Sequence, residues 1–391
     1  MTVTAQSSLQ DLGTSYHRTG DLTFACACYK KSLHSHINSS KRHVLMGANT
    51  TPLSVNSRNV KNLYLHEVAL QTTNSDIEGM EFKKDGNCDN LESSFIGMKC
   101  YISPLEMEFC GSGDRGNFNS SMFTEEEIAL ANIFSMSQIY MKIGEFDTAA
   151  KLLEISLRLC HSRVMVPSTS CSLSSEIEMM ALTNMGYISY KYGKLEEAKY
   201  YFEVAVNLNR DSIRSVRKYD NKNSEYVLSK VCHFVSSLMN LARVYDSLDR
   251  FDDAMAASYE ADVLGDMLQS MPGEDSIDTA GLIFIKADIH LHKEEYREAM
   301  NMYQSFTSGD QRYLHPGHEA AVLQGMGQIL FEERNLDRAM ACFLTALKIQ
   351  QETLGEKHSE QAETLYMIEW ILYDREEFVD ALEMYNRAVN L

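Results

Sequence analysis

From Leu12 onward, apolar positions recur at offsets of three, four and seven, the spacing that lines one face of an α-helix. Short turns carrying glycine or charge interrupt them. The segments LGTSYHRTGDLTFACACYKKS (12–32), MSQIYMKIGEFDTAAKLLEIS (136–156) and MGYISYKYGKLEEAKYYFEVA (185–205) share this pattern. So do LARVYDSLDRFDDAMAASYEA (241–261), KADIHLHKEEYREAMNMYQSF (286–306), MGQILFEERNLDRAMACFLTA (326–346) and IEWILYDREEFVDALEMYNRA (368–388). Each predicts a helix, a tight turn and a second helix.

The second helices carry a register of their own. Ala25, Ala149, Ala198, Ala254, Ala299, Ala339 and Ala381 each stand four residues before Tyr29, Leu153, Phe202, Ser258, Tyr303, Phe343 and Tyr385. Except at Ser258, the second residue of each pair is bulky. A small residue lets two helices approach, and the large one fills the groove beside it. No hairpin can bury such a stripe alone, so neighbours must stack.

Local signals set the boundaries. Thr124 with Glu127, and Ser175 with Glu178, are candidate capping boxes. Gly355 fits a helix end, and residues 161–175 read as a loop. Residues 262–279 read as the end of a long helix followed by an MPGED turn. The division is an N-terminal hairpin at 1–40, an irregular insertion at 41–123 and an array of about six hairpins at 124–391. Within the insertion, 59–72 has helical spacing. Residues 73–123 are polar and glycine-bearing and read as disorder, with 95–110 a candidate docking motif.

The pattern resembles the tetratricopeptide repeat over Leu12–Ser32 and about 128–391. From roughly 276 to 391 it is also similar to the repeats of kinesin light chains. LGEKHSEQA (354–362) carries Ser359 in place of that family's proline, and LHPGHEAA (314–321) is a second, shifted match. The resemblance implies an all-α, right-handed superhelical solenoid of stacked antiparallel hairpins, with first helices lining a concave wall. No heptad run precedes the first hairpin, which departs from the light chains. Chaperone-binding repeats hold a carboxylate with lysine, asparagine and arginine. At the matching positions stand Phe134, Gln138, Asn184, Ser236 and Asn240, of which Asn184 alone agrees.

Charge narrows the partners. The chain carries a net −19. Residues 1–72, with seven Lys/Arg against three Asp/Glu, run the other way. An acidic body repels nucleic acid and anionic membrane. No apolar run approaches the ~18 residues of a membrane helix, and no secretory signal is visible, which predicts a cytoplasmic location with the nucleus as alternative. Nine cysteines, scattered and odd in number, fit free thiols rather than a disulfide framework.

Catalytic and metal chemistry find little support. The histidine pairs His34/His36, His290/His292 and His315/His318 lack cysteines at zinc spacing. GSGDRG (111–116) has no strand before it to make a dinucleotide loop. Neither a phosphate loop nor a nucleophile elbow occurs, so the expectation is no enzyme, no metal and no cofactor.

If the resemblance carries over, the groove candidates are Phe134, Gln138, Lys142, Tyr187, Tyr190, Lys191 and Arg243, then Phe284, Gln328, Phe331, Tyr366, Trp370 and Tyr373. Lys142, Lys191 and Arg243 put positive charge in an acidic protein, and the last three residues form an aromatic anchor. The expected function is an adaptor or scaffold that binds a protein or linear peptide. The alternatives are a kinesin-light-chain-like cargo adaptor and a regulatory subunit whose 73–123 insertion occludes the groove.

Overall fold

In the computed structural model, the described residues are 2–48, 64–69, 71, 124–163, 173–219, 224–269, 279–308, 316–355 and 361–391. The helices fall in pairs: α1 (Thr2–Arg18) with α2 (Leu22–Ala48), α3 (Glu125–Lys142) with α4 (Phe146–Arg163), and α5 (Leu173–Lys191) with α6 (Leu195–Tyr219). There follow α7 (Ser224–Ser247) with α8 (Phe251–Gln269), α9 (Thr279–His292) with α10 (Tyr296–Ser308), α11 (Pro316–Glu332) with α12 (Leu336–Leu354), and α13 (Gln361–Asp374) with α14 (Phe378–Val389). Tyr64–Ala69 is helical as well. The helices form two compact units, α1–α6 and α7–α14, divided between Val227 and Leu228 near the start of α7.

Every hairpin turns in the same way. In α3–α4, Gly144 takes φ 83° while the amide of Glu145 donates to Tyr140 O at 2.9 Å, capping the orphaned carbonyls of the helix end. Gly20 and Gly193 occupy the equivalent position at φ 81° and 70°. Asp249, Glu294, Arg334 and Glu376 take it in the second unit, at φ 56–64°. There the hydrogen bonds persist, as in Asn335 N to Leu330 O at 2.8 Å, although a side chain now stands in the left-handed region.

The alanine register is the seam of each hairpin. All seven second-helix alanines are buried. Opposite them a glycine often admits an aromatic ring: a Cβ added to Gly186 would lie 2.8 Å from the Phe202 ring, and one at Gly327 2.9 Å from Phe343. Ser258 replaces the aromatic in α8 and satisfies its hydroxyl on Ala254 O at 2.9 Å. Between hairpins the packing continues. Tyr303 of α10 presses on Gly325 of α11, where a Cβ would meet its ring at 2.5 Å. In the first unit Asn132 of α3 donates to Ser32 of α2 at 3.0 Å, both buried, so the first hairpin stacks directly on the second.

Two boundaries differ from the sequence expectation. α2 continues to Ala48 rather than closing near 40. Ser175 lies within α5, which starts at Leu173, so it does not cap. The Thr124–Glu127 box does form: the Glu127 amide donates to Thr124 Oγ1 at 3.2 Å, and the Thr124 amide to Glu127 Oε2 at 2.9 Å. Residues 73–123, with the candidate motif at 95–110, lie outside the described residues.

Candidate functional site

The predicted wall residues lie on the first helices and divide into two groups. In α3 and α5, Phe134, Gln138 and Tyr187 are buried, and in α9 Phe284 is buried too. These four serve the stack and offer no surface, a correction to their placement in the groove. The reason is geometric: an interior first helix is covered by its own second helix and by the preceding hairpin, which leaves only a narrow strip open. Lys142, Tyr190 and Lys191 stay half-buried on that strip in the first unit. Lys191 Nζ lies 5.8 Å from the Tyr187 ring centre, a cation–π contact.

Arg243 is no free charge. Its Nη1 sits 3.5 Å from Asp288 Oδ2, and the guanidinium lies 5.5 Å over the Phe284 ring. Tyr303 Oη donates to the other Asp288 oxygen at 2.5 Å. His292 Nδ1 meets both oxygens of Asp246 at 2.9 Å. Three helices, α7, α9 and α10, are thereby tied through one polar cluster. Burial pushes the Asp288 carboxyl up to about 6, against the opposing pull of Arg243. The hydrogen bond to Asp246 raises His292. Burial, then the neighbouring Asp288 charge, drives the Tyr303 hydroxyl well above its ordinary range. Asp246, Asp288 and His292 lie on first helices, while Tyr303 on a second helix gave no sign in the sequence of joining them.

Farther along, the wall is open. Gln328 and Phe331 of α11 are half-buried, while Trp370 of α13 is 62% exposed and meets Phe331 edge to face at 6.4 Å. Tyr366 and Tyr373 lean instead on α14, against Tyr385 at 6.1 Å and Phe378 at 5.4 Å. The predicted aromatic cluster therefore exists, but it splits between the wall and the α14 side.

Other chemistry is paired off. His290 Nδ1 contacts Glu295 at 2.5 Å and His36 lies 3.8 Å from Glu125. Among the described residues no cluster of three His, Cys, Asp or Glu side chains could hold a metal ion. The described cysteines are free thiols, and no described helix is long and apolar enough to cross a membrane.

Two features recur along the chain: the register of small and bulky residues, and the repeated hairpin turn. Residues 318–391 match the tetratricopeptide repeat family. The same hairpin geometry recurs through both units, so tetratricopeptide-like stacking describes the fold of each. BtubC (BKLC) from P. vanneervenii is similar at 15% identity over 67% of this chain and 79% of that one, with a TM-score of 0.30. A tetratricopeptide repeat protein from Parabacteroides merdae matches at 15% identity over 67% and 99%, TM-score 0.28. Yeast Tom70 matches at 13% over 95% and 96%, TM-score 0.31. Among curated proteins, none matches the chain in sequence.

Proposed function

We propose that this chain is a non-catalytic adaptor whose first-helix wall binds a protein or linear peptide. Tetratricopeptide repeats in general support a protein-interaction role. The observation that carries the finer reading is the Phe331–Trp370 pair, a large aromatic surface left open on the wall beside Gln328. Exposed aromatics of this size are the usual anchors of a peptide, because their burial releases much water at little entropic cost. In the first unit, Lys142 and Lys191 would favour an acidic segment. The light-chain-like alternative draws on these same hairpins (276–391) and the occluded-groove alternative on 73–123, outside the described residues; the Phe331–Trp370 pair favours neither over a general adaptor.

Photo-crosslinking from Gln328 and Trp370, with Leu344 on the outer side of α12 as control, tests the reading. Adducts to the same partner segment from both wall positions and none from Leu344 are expected. Adducts of equal yield from Leu344 would overturn it.

A further inference from the structure

The α13–α14 hairpin exposes a face that every earlier hairpin of its unit keeps covered. Tyr385 stands at the register of Tyr303 and Phe343, each about 1% exposed, yet it is 47% exposed. Phe378, Leu382 and Val389 are likewise open, whereas their counterparts Leu336, Met340 and Leu347 pack into the core shared by α11–α14.

The covering element in the preceding hairpin is known. α13 lies on α11 and α12, with Gln324 donating to Thr364 at 2.7 Å, Thr364 donating to Gln350 at 2.9 Å, and Asp337 accepting from Arg375 at 2.6 Å. At the offset of Gln324 the last hairpin carries Tyr366, and at the offset of Asp337 it carries Val379, 83% exposed. Polar rim positions have thus become apolar just where no described residue covers them.

We propose that this free face accepts a basic amphipathic helix from a partner protein, seated as α13 is seated on α11 and α12. Charge selects the occupant. Residues 361–391 hold seven Asp/Glu against two Arg, and Glu376, Glu377, Asp380 and Glu383 are exposed around the apolar face. Two such faces brought together across a symmetric dimer would repel, whereas lysines flanking an apolar stripe would meet carboxylates. The inference stands apart from the wall reading, since it uses the opposite requirement, a helix rather than an extended segment.

The probe is a synthetic helix of about five turns, with leucine at the offsets Leu365, Ile368 and Ile371 occupy in α13 and lysine elsewhere. Labelled, it is titrated into the full chain and followed by anisotropy. A scrambled peptide of the same composition and a glutamate version serve as controls. Binding of the amphipathic lysine helix is expected, with at least a tenfold loss, roughly, for both controls. The double variant Val379→Glu/Leu382→Glu, whose altered side chains are solvent-facing, should lose about as much affinity, with its circular dichroism unchanged. Lys191→Glu should bind the probe normally, which separates this result from failure of the wall. Equal binding by the scrambled peptide or by the double variant, or no binding at all, overturns the proposal. So does sedimentation showing a dimer that the double variant dissociates, because a second copy would then occupy the face.

Discussion

His292 and Asp246 join the first helices of two successive hairpins, Nδ1 2.9 Å from the carboxylate, with Asp288 and Arg243 paired beside them. Both His292 and Asp288 titrate higher in the fold than in the open chain, so the folded form binds more protons. Stability is therefore fullest below the ordinary carboxylate value of 3.8 for Asp288 and is lost as pH rises through about 6. For His292 the contribution is full below 6.5 and fades above it. In a His233→Gln background, which removes a buried imidazole lowered to about 4 that acts with the opposite sign, the second unit should melt lower at about pH 8 than at about pH 5. Thermal melts at both values check this, and Asp288→Asn and His292→Gln should each flatten the difference.

Gly186 and Phe202 make the close approach on which the α5–α6 hairpin is built. Gly186→Ala drives a methyl into a ring at 2.8 Å. Urea denaturation should show a loss of ~1–3 kcal/mol.

Turn geometry gives a prediction with a reversed sign. Glu376 holds φ 64° without the freedom of a glycine, and Glu376→Gly should raise stability by ~0.5–1 kcal/mol. The same measurement on Gly193→Ala, at φ 70°, should show a loss of about 1 kcal/mol.

The interior and terminal aromatics should part ways under truncation. Phe343→Ala opens a cavity beneath a covering hairpin and should cost ~3–5 kcal/mol. Tyr385→Ala, at the same register but open to water, should cost under about 1 kcal/mol. Comparable losses in calorimetry would mean that the terminal face is covered in solution.

Trp370→Ala should leave helical content intact and weaken partner binding, because the ring contributes exposed surface rather than core. As the single tryptophan of the chain, it also offers a direct fluorescence readout of wall occupancy.

The hairpins were readable because alanine, aromatic and turn positions recur at offsets that only helical pairing satisfies. Which side of each first helix stays open was harder to read. Phe134 and Tyr187 occupy wall offsets, but neighbouring hairpins close over them, and that closure depends on the stagger between units of unequal length. Val379 breaks a series that the alanine register did not bring out: Asp147, Glu196, Asp252, Arg297 and Asp337 hold its position in earlier hairpins. The Tyr303–Asp288 bond left no trace, since a tyrosine at that register reads as packing.

Supported among the described residues from one side only, α13–α14 has less to lose by opening than a hairpin of its unit held between two others. Its amides should exchange with solvent ahead of those in α9–α12. An occupant on the free face would turn this end into an interior, and the rise in protection would spread inward from the hairpin it touched.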